Sequence, residues 1–179
     1  LAPALFLAGL PGDIGGGIVM NAGIGEKIAP REFVEITDWV EVMELQPPFG
    51  LKKFLKDELE WTYRHCFGWQ PGVVLRAGFS WPINEELDIL QKVKEANKAR
   101  LHKQPLELPS CGSVFRNPDG DKSGRLIEAC GLKGYQVGEA QVSEKHANFI
   151  VNRGQARAED IKTLIEHVQK TVKDQKCID

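Results

Sequence analysis

Pro109-Ser110-Cys111-Gly112-Ser113-Val114-Phe115-Arg116-Asn117-Pro118 is the stretch on which the reading of the fold turns. Proline removes a backbone donor and biases the preceding residue away from helix, so a segment bounded by two prolines is extended or turned. It follows a long helix-patterned run and a proline-containing connector at Pro105. A domain boundary is placed near Pro105, where helix gives way to the connector, and the strands and helices read along the chain make it α+β. Gly112 lets the backbone adopt a conformation that a neighbour with a side chain resists. The segment presents one hydroxyl, that of Ser113, beside the cation of Arg116 and the amide of Asn117. An isolated serine of this kind is most often just part of a polar loop.

The chain has 179 residues, 42% hydrophobic and 27% charged, which suits one large domain or two small ones. A net charge of -2 gives no reason to expect nucleic acid or an anionic membrane as partner. Cys66, Cys111, Cys130 and Cys177 are scattered, with no pair at metal-ligand spacing, and reduced thiols in a cytoplasmic protein are the expectation. The apolar run Leu1 to Leu10 lacks a basic leader and is broken by Gly9-Leu10-Pro11-Gly12, so it does not read as a signal peptide. No run is long enough to span a bilayer. The chain opens on leucine inside an apolar run, which reads as a fragment of something longer.

Between Ala8 and Gly23, six of sixteen residues are glycine. Such a loop exposes backbone N–H groups, and a helix start behind it adds a positive end, a combination that suits a bound diphosphate. The spacing is not that of a Rossmann unit, and glycine-rich turns are also common without ligands. Further on, residues 33 to 46 alternate in places and predict one or two half-buried strands, ended by Pro47-Pro48. Lys52 to Leu59 predicts a short exposed helix. Glu60 to Phe67 predicts a strand edge, followed by a strand at Gly72 to Ala77. Asn84 to Lys103 predicts a helix capped by Asn84, with Glu85 and Glu86 at its start. Its face runs through Leu87, Leu90, Val93, Asn97 and Leu101. Ser123 is placed to cap a short helix that turns Leu126, Ile127 and Cys130 inward and ends at Gly131 and Gly134. Strands are predicted at Gln136 to Val142 and Ala147 to Asn152. A helix from Glu159 to about Asp174 carries the stripe Ile161, Leu164, Ile165, Val168, Val172.

Several separate segments, in order, resemble the UDP-N-acetylenolpyruvoylglucosamine reductase (MurB) family. Ala8-Gly9-Leu10-Pro11-Gly12 through Met20-Asn21-Ala22-Gly23 resembles the family's glycine-rich loop. Tyr63-Arg64-His65-Cys66 resembles its Tyr-Arg-x-Ser. Gly112-Ser113-Val114-Phe115-Arg116-Asn117-Pro118 resembles its Gly-Ser-x-Phe-Lys/Arg-Asn-Pro. Leu126 to Gly134 and Val142 to Asn152 resemble its closing runs. The chain departs from the pattern at Ile24, where an aromatic is usual, at Cys66, where serine is usual, and at Glu139, where glycine is usual.

The resemblance implies two small domains, each a mostly antiparallel sheet with packed helices. Residues 1–104 would be the C-terminal part of a PCMH-type FAD-binding region, and residues 105–179 a substrate-binding domain incomplete at its end. It implies FAD at Ala8, Gly9, Pro11, Gly12, Gly15, Gly16, Asn21, Ala22 and Gly23, with NADPH as co-substrate. It implies Arg64 and Ser113 as catalytic residues. Tyr63, Arg116, Asn117, Lys145 and His146 would bind UDP-N-acetylglucosamine enolpyruvate. Saturating an enolpyruvyl double bond needs a hydride, which no side chain supplies, and a proton, which a serine can deliver. The resemblance further implies a monomeric enzyme of peptidoglycan precursor synthesis in the bacterial cytoplasm. A first domain with a second glycine-rich loop and a final segment with a catalytic glutamate are expected beyond the two ends. The rival expectation is a UDP-sugar-binding module without redox activity.

Overall fold

The computed structural model describes residues 2–24, 31–81 and 88–178. The chain divides into two compact units, Leu1–Asn97 and Lys98–Asp179, each with its own core.

The first unit opens with a 3-10 helix, Ala2–Leu7, and a short helix α1, Ile14–Val19. A 3-10 turn at Phe33–Glu35 leads into β1, Thr37–Glu44, and β2, Gly50–Leu55. A second 3-10 turn, Lys56–Glu58, precedes the hairpin of β3, Glu60–Thr62, and β4, His65–Phe67. The strand β5, Gly72–Phe79, returns to the main sheet, whose order is β2-β1-β5, all antiparallel. Strand side chains alternate between faces, so β1 sends Val40, Val42 and Glu44 inward. The two valines join Phe6, Ile18, Phe33 and Cys66 in one core. The buried Glu44 carboxylate is paired with Lys52 Nζ at 2.8 Å.

The helix expected at Lys52 to Leu59 is instead β2 followed by the 3-10 turn. Its charges are not a solvated helical face. Lys52 reaches Glu44, Lys53 lies 4.0 Å from the Trp39 ring centroid, and Phe54 packs on Trp69. Pairing with β1, in register from Trp39↔Leu55 to Glu44↔Gly50, overrides the local charge pattern.

The helix α2, Ile89–Lys103, runs across the division between the units. Asn84, Glu85, Glu86 and Leu87 lie outside the described residues. The expected apolar face is not a core face: Leu90 is 77% and Leu101 56% exposed, and no α2 residue is buried.

The second unit contains β6, Ser110–Ser113, the helix α3, Ser123–Ala129, the strands β7, Gln136–Val137, β8, Ala140–Val142, and β9, Phe149–Asn152, and the helix α4, Ala158–Lys176. The sheet order is β6-β9-β8-β7, again antiparallel. The expected α+β class and antiparallel pairing hold in both units. The single strand expected at Gln136 to Val142 is a hairpin, because Gly138 turns the chain with φ 54°. Ser123 does not cap α3; Lys122 is the N-cap residue, and the Ser123 hydroxyl is turned back to the Arg116 carbonyl. The stripe on α4 is as read: Leu164 and Val168 are fully buried against Ile127, Val142 and Ile150.

This contrast between the helices is measurable. Leu164→Ala should cost about 2–5 kcal/mol, as deletion of a buried leucine does. Leu101→Ala should change stability by less than about 0.5 kcal/mol, because its side chain stays largely in water. Urea unfolding followed by circular dichroism checks both.

Candidate functional site

In the first unit the expected residues fall at the two ends of α1, which is about 9 Å long. Ahead of the helix, Ala8 closes the 3-10 helix by donating its N–H to Leu5 O at 3.0 Å. Pro11, Gly12 and Gly16 are exposed, while Gly15 lies against Val74. Among the described residues no atom lies within 4 Å of where a side chain at Gly12 or Gly16 would begin, so the backbone there is open to a close approach. The first intrahelical bond runs from Gly17 N–H to Asp13 O, and the Asp13 side chain makes no capping bond. The N–H groups of Ile14, Gly15 and Gly16 therefore precede the helical ladder.

Behind the helix, Asn21, Ala22 and Gly23 meet the β3–β4 turn. Asn21 is 1% exposed. Its amide donates to Thr62 O and to Glu32 Oε2, both at 3.1 Å, and its Oδ1 accepts from Val34 N–H at 3.1 Å. Arg64 sits at the turn with φ 60°. Its Nη1 donates to Asn21 O at 3.3 Å and to Glu32 Oε1 at 3.0 Å, and its Nη2 donates to Gly23 O at 2.9 Å. Its guanidinium carbon lies 4.6 Å from the Tyr63 ring centroid. Among the described residues, its Nε–H and one Nη2 hydrogen take no acceptor. The same two nitrogens of Arg76 hold the Glu41 carboxylate in this unit, at 2.8 and 3.1 Å. Cys66, two residues on, is buried, and burial pushes its thiol up to about 12. It is core packing at a position where a hydroxyl was expected.

In the second unit Ser113 ends β6 opposite Phe149. Gly112 before it has φ 86°, a region open to glycine and strained for other residues. Beyond Ser113 the ladder is continued by one side chain. Phe115 N–H donates to Asn148 Oδ1 and Asn148 Nδ2 donates to Phe115 O, both at 2.9 Å, and Val114 N–H donates to Asn148 O at 2.9 Å. Asn148 is 4% exposed. Ser123 then holds the next two residues, through its hydroxyl to Arg116 O and its N–H to Asn117 Oδ1 at 3.1 Å. Ser113, Arg116 and Asn117 are exposed on this clamped segment.

Lys145 and His146 lie on the connection that carries Asn148. Both donate backbone N–H to Ser143 Oγ, and Lys145 Nζ lies 3.4 Å from Glu107 Oε2. His146 Nδ1 accepts from Asn148 N–H at 3.2 Å, which leaves the proton of the neutral ring on Nε2. The ring packs edge-on against Phe149. Burial, with help from the Lys133 charge, holds its pKa below the usual 6.5, against the opposing Glu128. Asn148 and Glu32 are the residues that sequence reading missed. The signal for Asn148 was an asparagine at the head of an apolar strand, where a buried amide needs partners.

A family model for the C-terminal domain of UDP-N-acetylenolpyruvoylglucosamine reductase matches residues 104–179. The reductase of that name from Synechococcus elongatus is 45% identical over 176 residues, covering 93% of this chain and 54% of its own. That of Lactobacillus helveticus is 44% identical over 175 residues, covering 97% and 57%. The crystal structure of the reductase (MurB) from Thermus caldophilus superposes with a TM-score of 0.79 at 36% identity, over 93% of this chain and 59% of its own. Residues 104–179 are thus similar to the C-terminal domain of UDP-N-acetylenolpyruvoylglucosamine reductases, and the chain as a whole to a little over half of such a reductase. It spans about half the length of the curated relatives it matches. The reductase C-terminal match takes in Ser113, Asn148 and His146, the clamped segment and its support.

Because the folded state depresses the His146 pKa, the unfolded chain binds the proton more readily. The stability this neutral ring contributes is complete above the ordinary value of 6.5 and is lost as pH falls toward the lowered folded value. The urea midpoint should therefore fall as the pH drops below the ordinary histidine value of 6.5. His146→Gln should flatten that part of the curve; an unchanged slope would place the proton uptake elsewhere.

Proposed function

We propose that this chain carries the flavin and substrate machinery of a reductase that converts UDP-N-acetylglucosamine enolpyruvate to UDP-N-acetylmuramate. The setting would be peptidoglycan precursor synthesis in the bacterial cytoplasm. Residues 1–104 would belong to the FAD-binding domain and residues 105–179 to the substrate-binding domain. Among the described residues no helix is long and apolar enough to cross a membrane. The observation that carries the reading is the anchoring of Arg64. Among the described residues three protein acceptors hold its Nη groups, and Nε–H and one Nη2 hydrogen remain for a carboxylate.

The open backbone at Gly12 and Gly16 fits a flavin diphosphate, because a side chain at either position would fill space that is empty of protein atoms. Ala8, Gly9, Pro11 and Gly15 complete that wall. Ala22 and Gly23 would serve the flavin at the far end of α1, and Asn21 would serve it through its backbone and by holding the turn. FAD, reduced by NADPH, supplies the hydride that no side chain here supplies.

Arg64 holds the substrate carboxylate and stabilises the negative charge that grows there as the double bond is reduced. Ser113 gives its hydroxyl proton to the carbon left electron-rich. The hydroxyl is a weak acid, so its placement matters more than its acidity. Arg116 and Asn117 follow on the same clamped segment and, with Tyr63, Lys145 and the Nε2–H of His146, hold the nucleotide sugar.

Two substitutions test this in a full-length reductase carrying the sequence. Ser113→Ala should slow oxidation of the reduced flavin by the enolpyruvyl substrate about 10²–10⁴-fold and leave flavin reduction by NADPH nearly intact. Equal losses in both half-reactions would assign Ser113 to folding. Arg64→Lys should also slow the second half-reaction at saturating substrate, since an ammonium cannot make the planar two-point contact. Weaker binding with an unchanged rate would make Arg64 a ground-state contact only.

A further inference from the structure

Arg64 is a long side chain on a left-handed turn residue, and neither feature fixes where its guanidinium lies. We infer that Glu32 is the positioning residue for Arg64, its carboxylate bridging the guanidinium and the buried Asn21 amide. The inference rests on the reductase reading for its catalytic consequence, and on geometry alone for its structural one.

Glu32 Oε1 accepts from Arg64 Nη1 at 3.0 Å and Oε2 accepts from Asn21 Nδ2 at 3.1 Å. The carboxylate is thus held at both oxygens, one by a cation and one by an amide that is itself immobile. The Asn21 Nδ2 also holds Thr62 O, two residues before Arg64, so the turn and its side chain are registered against the same group. The ion pair is neither a loose surface contact nor a sealed core pair; the two side chains are 24% and 28% exposed. Of the three acceptors on Arg64 among the described residues, the other two are backbone carbonyls, so Glu32 is the side chain by which the orientation is set. With Nη1 fixed, the Nε–H and one Nη2 hydrogen, which meet no acceptor among the described residues, are kept for the substrate carboxylate.

Gly23 packs closely against the same contact. Its backbone pairs with Glu32, and a methyl group there would lie 2.2 Å from Arg31 O and 2.6 Å from Glu32 Cγ. This close approach, and not a left-handed backbone, is what requires a glycine beside Glu32.

The test uses Glu32→Ala, Glu32→Gln and Glu32→Asp, with two readouts. The first is the ¹⁵N spectrum of the arginine Nη groups in the 179-residue chain. Arg64 should show slowed rotation about Cζ–Nη in the wild type and in Glu32→Asp, and averaged signals in Glu32→Ala and Glu32→Gln. The second is the pair of half-reactions in a full-length reductase carrying the sequence. Glu32→Ala should slow flavin oxidation by the enolpyruvyl substrate about 100-fold at saturation, with flavin reduction by NADPH within about threefold. Glu32→Asp, which keeps both acceptors, should recover to within about tenfold of wild type. If Glu32→Ala fails to fold, Glu32→Gln, whose single oxygen cannot accept from both Arg64 and Asn21, must show the same selective loss. Restricted Arg64 signals in both Glu32→Ala and Glu32→Gln, or equal losses in the two half-reactions, would overturn the inference. A wild-type enzyme that does not reduce the enolpyruvyl substrate would sink the reductase reading instead, and the spectrum would still decide the role of Glu32.

Discussion

A buried primary amide must place both its hydrogens and its oxygen on partners, and Asn21 does so by joining three separate segments. It ties the end of α1 to the β3–β4 turn, to Glu32 and to Val34. Leaving such groups unpaired out of water costs about 1–3 kcal/mol each, so the three segments are held together or not at all. Everything proposed for the first unit depends on this. Without it the turn bearing Tyr63 and Arg64 would be a two-stranded ribbon of three-residue strands, too short to fix a side chain.

The second unit uses the same device. Asn148 imitates a backbone strand partner, giving Phe115 one donor and one acceptor where the ladder between β6 and β9 has run out. The segment after Ser113 is therefore pinned although it is neither helix nor strand. Its exposed residues lie on a scaffold as fixed as the sheet beside it. In each unit a buried asparagine holds an exposed segment, and the candidate catalytic side chain is on that segment.

Much of this was legible in the sequence, for identifiable reasons. The period of Ile161, Leu164, Ile165, Val168 and Val172 reports directly on burial, and α4 follows it. The prolines around Ser113 enforce an extended backbone, and β6 is there. The glycine loop and the Tyr-Arg and Gly-Ser segments marked the positions where Arg64 and Ser113 now sit. What escaped was set by pairing across distance. Lys52 and Lys53 read as a charged helix until Glu44 and Trp39, on the neighbouring strand, are known to receive them. Leu90 and Leu101 kept a helical period but were given no core to face. Asn21 was legible as part of a motif, while its partner Glu32 is eleven residues away on no shared element. Asn148 was inconspicuous because its role is to contact a backbone, which leaves no mark in side-chain pattern.

The proposed function, drawn from the similarity to the reductases and the two anchored side chains, makes one chemical claim, that reducing equivalents reach an enolpyruvyl double bond. The direct measurement is a single turnover without oxygen. A full-length reductase carrying this sequence is reduced with NADPH and mixed with UDP-N-acetylglucosamine enolpyruvate, and flavin absorbance is followed with the nucleotide products. The account predicts that the yellow colour returns with about one equivalent of UDP-N-acetylmuramate per flavin. A flavin that stays reduced, with the enolpyruvyl nucleotide recovered unchanged, would contradict it.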